Sequence, residues 1–316
     1  MQMSRRCLRS SRASIELSDC LVCQRRLFSS SYVRRTAKGV PPPQAIPPAA
    51  PTPSSLDEAP RAYGKAVQTF SPKPLNRPIG IPNPPEAGEN SGIDRRTWRQ
   101  RRDDFLNYDK HLARRKELTE KISTPYFREW SNMRHHKGKS FLAPPRLFKS
   151  DRALYFPNFQ GQTLAKGQYL QDTTVVLRDR VSVVSVFSSA WAERQVASFT
   201  TPKNNLELHR VIHNSGGIAQ MVQINIEENA LKALLIKLFI PNLRRTMDAK
   251  DWGKYFLVRR GISTAMRDTI GLLNSKVGYT YLIDGSCKIR WAGSGICEGD
   301  EKESLVKGVR RLIEEG

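Results

Sequence analysis

Residues 181–200 read VSVVSVFSSAWAERQVASFT, and this stretch decides more about the fold than any other. Four valines and a phenylalanine leave VSVVSVF without a consistently polar face, so 181–187 is predicted as a central strand covered on both sides. Trp191 follows four residues after Phe187, and a helix is predicted over about 191–199, stopped at Thr200-Thr201-Pro202. A strand passing so quickly into a helix commits the chain to a sheet with helices packed on it.

The alternation extends along the rest of the chain. FPNFQGQTL (156–164) and DTTVVLRD (172–179) read as short β segments, and MVQINIEE (221–228) as a further strand. NALKALLIKLFIPNLRR (229–245) has a helical pattern that Pro241 is expected to kink or end. GKYFLVRRG (253–261) reads as a strand, and Ser263 as the cap of a helix reaching about Asn274. YTYLID (279–284), an Asp284-Gly285 turn and CKIRWAG (287–293) form a predicted hairpin, followed by a terminal helix over 301–315. The expected architecture is α/β, a mixed sheet with helices on both faces.

Upstream, the composition changes twice. Residues 40–85 hold 14 of the 20 prolines, so 36–93 is predicted to be a disordered, Pro-rich linker that fills no core. Residues 94–140 read as a basic helical extension: Asp94 as N-cap, a loose apolar stripe of Trp98, Phe105, Leu112 and Leu118, a break at Pro125, then a short helix carrying Phe127 and Trp130. Ten basic and six acidic residues alternate over 94–123, which favours a solvated, ion-paired helix over an RNA-binding surface. Residues 1–35 carry eight arginines against Glu16 and Asp19, with many serines. Together with RRLFSSS at 25–31 they read as a mitochondrial presequence, leaving 141–316 as the globular domain.

The net charge is +22, and it stays near about +16 without the presequence, enough to attract an anionic partner. No run of roughly 18 apolar residues occurs, so membrane contact is predicted to be peripheral. Cys20 and Cys23 have redox spacing, but with Cys7 they lie in the presequence, and Cys287 and Cys297 are expected to be ordinary thiols. His135 and His136 diverge by about 100° in a helix and lack further ligands at metal spacing. His209 and His213 lack the glutamate of a zinc-protease motif, Asn214-Ser215-Gly216-Gly217 reads as a turn rather than a phosphate loop, and Ser188 and Ser189 sit in no hydrolase signature. No metal, cofactor or catalytic residue is predicted.

The order strand, Trp-bearing turn, helix, strand, helix, then TYLIDGSCKIRWAGSG (280–295) and a last helix resembles the thioredoxin and peroxiredoxin superfamily. Four blocks make a narrower resemblance: FLAPPRLFKSDRALYFPNFQGQTL (141–164), WGKYFLVRRGISTAMRDTIGLLNSKVGYTYLID (252–284), IRWAGSG (289–295) and VKGVRRLIEE (306–315). They resemble the fungal mitochondrial ATP synthase assembly factor family called ATP ten, across nearly all of 94–316. That resemblance implies a chaperone on the matrix face of the inner membrane. Its expected partner is newly made subunit a (subunit six), with the ring of c subunits that subunit a joins. The basic charge is expected to orient the protein by peripheral contact with anionic lipid. No cofactor is expected from the motifs, and the alternating charges of 94–123 disfavour nucleic acid. The alternative from charge alone is a mitochondrial RNA- or ribosome-associated protein.

Thiol exchange needs a thiolate at a helix start. On the degenerate redox turn, Trp191 is kept, but Ala192 and Gln195 stand where the two sulfurs belong, and Val277-Gly278-Tyr279 stands where a cis-proline is expected. Redox catalysis at this turn is therefore ruled out by composition. One candidate surface remains. On the wheel of 229–243, Leu231, Leu234, Leu235 and Leu238 form a stripe expected to pack on the sheet, while Ile236, Phe239 and Ile240 form a surplus apolar face. That surplus face reads equally as a client-binding surface or as core covered by the extension 94–139.

Overall fold

The computed structural model describes residues 54–315, apart from 64, 65, 94, 95, 124–126, 168 and 169. The segment expected to be a presequence, with Cys7, Cys20 and Cys23, the residue expected as a cap, Asp94, and Pro125 lie outside the described residues.

Seven strands form one mixed sheet in the order β2-β1-β5-β4-β3-β6-β7. They are β1 (Gln160–Thr163), β2 (Gln171–Asp172), β3 (Val181–Phe187), β4 (Ala219–Ile226), β5 (Tyr255–Val258), β6 (Tyr279–Ile283) and β7 (Ile289–Ser294). β3 runs parallel to β4 and β4 to β5, while β6 is antiparallel to β3 and β7 to β6. Every residue of β3 is buried, as a doubly covered strand requires. The helices are α1 (Trp98–Leu106), α2 (Tyr108–Ser123), α3 (Arg128–Asn132), α4 (Thr173–Leu177), α5 (Ala190–Thr200), α6 (Leu206–Asn214), α7 (Ala230–Thr246), α8 (Thr264–Thr269) and α9 (Glu301–Glu315).

Strand alternation sorts the valines of β3 between the two faces. Val181 and Val183 pack with Phe199 of α5, Leu208 of α6 and Leu305, Val309 and Leu312 of α9. Val184 and Val186 point the other way, into a cluster with Phe141, Phe156, Phe159, Leu177 of α4 and Ile270. Helices lie on both faces, as the thioredoxin-like reading expects, but the second face has only short ones and is completed by irregular chain.

That irregular chain includes much of the segment expected to be a disordered linker. Leu56, Ala59, Leu75 and Ile79 are buried in the second cluster, Pro74 bridges Leu142, and Ile81 bridges Tyr155. Proline removes a backbone donor but not the apolar side chains between prolines, so single bridges and core plugs remain open to such a chain. The linker expectation therefore fails for the described part of 36–93.

Four local expectations are also corrected. Residues 173–177 form the helix α4 instead of a β segment, because the Asn158 carboxamide oxygen accepts from Thr174 N at 3.1 Å and Thr174 Oγ1 at 2.9 Å and so caps it from a distance. α7 does not end at Pro241 but continues to Thr246; both Pro241 and Lys237, whose carbonyl loses its helical donor, are exposed to water. α8 stops far short of Asn274, at Gly271 with φ +75°. The hairpin has a three-residue loop, 285–287, with Cys287 at φ +64°, closed by Asp284 N to Lys288 O at 3.0 Å.

Of the extension, α1 is capped by a reciprocal Thr97–Gln100 box, and Asp104 pairs with Arg96 and Lys110. α1 and α2 thus follow the ion-paired reading. Residues 127–140 behave differently and join the domain. Lys139 is buried there, its ammonium donating to Ser294 O at 3.1 Å, Ile296 O at 2.7 Å and Glu301 Oε2 at 2.8 Å. Glu301, in the first turn of α9, also accepts from Ala143 N and Glu298 N, each at 2.8 Å. Ser294 Oγ accepts from Ser140 N and Phe141 N at 3.0 Å, which ties the same segment to the end of β7.

Removing one member of such a pair leaves the other charge buried without a counter-ion. Glu301→Ala is expected to cost about 3–5 kcal/mol in urea unfolding, with Lys139→Met comparable because it strands the carboxylate. Full stability in either variant would show that the pair carries no structural weight.

Candidate functional site

The Trp-bearing turn sits where β3 ends and α5 begins. Ser189 caps α5, its Oγ accepting from Ala192 N at 3.2 Å, so the donor that would steady a thiolate there is already taken. Trp191 is 41% exposed, whereas Ala192 and Gln195 are buried. The expected triad of the turn is therefore brought together, but only its tryptophan faces water.

Gln195 is bonded at both ends of its carboxamide. Its Oε1 accepts from Gly278 N at 2.9 Å, and its Nε2 donates to Lys137 O at 3.0 Å. Gly278 is required here: a Cβ at that position would lie 2.3 Å from Ala192 O. The residue beside the expected cis-proline position thus lets β6 close directly on α5. The segment 127–140 completes the seal, with Glu129 accepting from Ser275 N at 2.9 Å and Ser275 Oγ at 2.6 Å. Tyr279, next along β6, is buried against Ser140 and Asn274, and burial pushes its phenol up to about 12, so it stays neutral.

From the opposite side, Ala192 and Val196 belong to an apolar cluster with Leu164, Phe187 and Tyr255, against which Ile240 and Leu243 of α7 pack. The sequence reading inverted this helix. Ile240 belongs to the face that packs inward and Ile236 is half-buried, while Leu231, Leu234, Leu235 and Leu238 point to solvent. Of the three candidate residues Ile236, Phe239 and Ile240, only Phe239 is exposed. A helical wheel with two apolar faces does not say which one meets the sheet. The small Ala233, buried beneath the helix, marks the side of closest approach.

No group of three or more His, Cys, Asp or Glu among the described residues is arranged to hold a metal ion. His209 is engaged by Thr200 O at 2.6 Å. Cys287 and Cys297 lie away from the turn, and burial pushes each thiol up to about 11. The glutamine lock, Gly278 and the Glu129–Ser275 clasp escaped sequence reasoning because each joins residues far apart in the chain. The glycine beside the expected cis-proline position was their one visible trace.

Introducing both sulfurs tests the geometry. Ala192→Cys with Gln195→Cys is expected to yield thiols that react with an aromatic disulfide reagent at least about tenfold slower than a free thiol, because burial disfavours the thiolate. Rapid reaction in the folded variant would show that the turn is open.

The chain was compared with known proteins. A family model described as ATP10 protein matches residues 61–312. Mitochondrial ATPase complex subunit ATP10 of Candida glabrata is 31% identical over 257 residues, covering 79% of this chain and 90% of that protein. The protein of the same name from Saccharomyces cerevisiae is 29% identical over 255 residues, covering 76% and 87%. Among solved structures, a DsbF homologue from Corynebacterium diphtheriae is similar at 13% identity and TM-score 0.34, covering 52% of this chain and 91% of that one. BsSco, of the Sco family of cytochrome c oxidase assembly proteins, is similar at 8% identity and TM-score 0.35, covering 50% and 93%. The family match spans the sealed turn, the segment clasped over it and α7 alike, and by that match the chain belongs to the ATP10 protein family.

Proposed function

We propose that the protein is a non-enzymatic assembly factor for the membrane sector of mitochondrial ATP synthase. It attends newly made subunit a until that subunit joins the ring of c subunits, working peripherally at the matrix face of the inner membrane beside anionic lipid. Family membership over residues 61–312 carries this reading, and the relatives' names, mitochondrial ATPase complex subunits, support the complex it serves. The sealed turn supports a scaffold role over catalysis: the place where this kind of fold keeps its sulfur is filled by Gln195, Gly278 and Lys137. A fold can be retained as a rigid platform after its chemistry has gone.

The deciding experiment is pulse-labelling of newly made mitochondrial proteins followed by crosslinking to the tagged full chain. Unassembled subunit a is expected in the crosslinked fraction, declining as it enters the complex. Absence of subunit a, with steeply salt-dependent capture of RNA instead, would support the RNA-associated alternative. The cysteines offer a second check. With both thiols pushed up to about 11, alkylation should quicken about tenfold per pH unit from pH 7 upward, as the thiolate fraction grows. Cys287→Ser with Cys297→Ser should leave ATP synthase assembly intact, and an assembly defect in a folded, normally accumulating variant would reinstate a redox role.

A further inference from the structure

α7 turns outward what a surface helix ordinarily buries. Its inner face carries Ala233, Ile240 and Leu243. At 3.6 residues per turn, Leu231 and Leu238 lie about 160–180° away from Ile240. They are 74% and 68% exposed, Phe239 is 61% exposed, and Leu234 and Leu235 are exposed beside them. No described residue shields this face, so the described part of the extension does not cover it.

The charges on the helix have one sign. Between residues 230 and 247 stand Lys232, Lys237, Arg244 and Arg245, with no acidic residue. Lys237 falls to one side of the leucine stripe and Lys232 to the other, each about 60° from the nearest leucine on the wheel. Arg244 is occupied, donating to Leu164 O at 2.7 Å with its guanidinium 5.5 Å from the Trp252 ring centroid. Lys232, Lys237 and Arg245 make no ion pair among the described residues. α1 and α2 also expose aromatic and leucine side chains, but there acidic residues interleave and pair with the bases.

An apolar ridge flanked on both sides by unpaired lysines is the pattern of a helix lying in the plane of a membrane interface. The leucines enter the acyl boundary and the lysine stems run back to the headgroups. No helix among the described residues is long and apolar enough to cross a membrane, so contact through α7 would be in-plane. We propose that α7 docks the protein flat on an anionic lipid bilayer through Leu231, Leu234, Leu235, Leu238 and Phe239, with Lys232, Lys237 and Arg245 at headgroup level. This deepens the peripheral placement proposed above and rests on that part of it alone, since the subunit a reading plays no role in a lipid measurement.

The test is co-sedimentation of the full chain with vesicles of phosphatidylcholine, with and without a minority of phosphatidylglycerol. Binding is expected to the anionic vesicles. Leu234→Gln with Leu238→Gln should weaken it by about tenfold or more with the thermal midpoint unchanged, because both side chains are exposed before binding. Lys232→Gln with Lys237→Gln should also weaken it about tenfold or more, the difference shrinking as salt rises. Three results would overturn the proposal. Binding by the leucine variant equal to that of the parent would mean adsorption by charge elsewhere on a basic chain. Loss of thermal stability together with binding would make the face core. Normal vesicle binding with loss of the crosslink to subunit a would assign the face to a protein client.

Discussion

The buried pair between Lys139 and Glu301 is the contact on which the arrangement of this domain depends. A charge taken out of water costs far more than a surface ion pair returns, and it is tolerated only with its hydrogen bonds filled. Here both partners are filled: Lys139 has two carbonyls besides the carboxylate, and Glu301 has two backbone amides besides the ammonium. Glu301 also stands in the first turn of α9, where the helix dipole favours a negative charge. The pair therefore pins residues 137–143 to the junction of β7 and α9. From that anchor, the Lys137 carbonyl is presented to Gln195 and Phe141 is delivered to the core.

The consequence falls on the Trp-bearing turn. A thiol-exchange site must be open to a partner's sulfur and must leave its helix-start donors free. This one is closed from one side by a glutamine lock to β6 and to the anchored segment, and from the other by α7. A cysteine at 195 would remove the glutamine lock itself, and the Gly278–Ala192 contact, the Glu129–Ser275 clasp and α7 would still be there to limit access. The same helix that closes the turn on its inner face exposes a leucine ridge on its outer face, so the closed turn and the exposed ridge follow from one packing arrangement.

Much of the fold was legible in the sequence. VSVVSVF as a doubly covered strand follows from its short β-branched run, and β4, the β6–β7 pair and α9 follow from their own apolar patterns. The degenerate turn was legible too, since missing cysteines are visible as such. The failures share a cause. DTTVVLRD reads as strand by β-branching, but Asn158, 16 residues before Thr174, supplies the cap that makes it helix. The Pro-rich segment reads as linker by composition, but Leu56, Leu75 and Ile79 find core partners remote in the chain.

The candidate surface on α7 shows the division most clearly. By itself the sequence determined that 229–245 is helical, that it has more apolar surface than one sheet contact needs, and that all its charges are basic. It left open which face would pack, because a helical wheel has no marker for the direction of the sheet. Tertiary structure decided that: Ile240 and Leu243 pack on the cluster around Phe187 and Tyr255, Ala233 is buried on the same side, and that rotation of the helix sends Leu231 and Leu238 into solvent. Periodicity is a property of neighbours along the chain, whereas orientation depends on what lies across the core, and only the folded molecule brings those residues together.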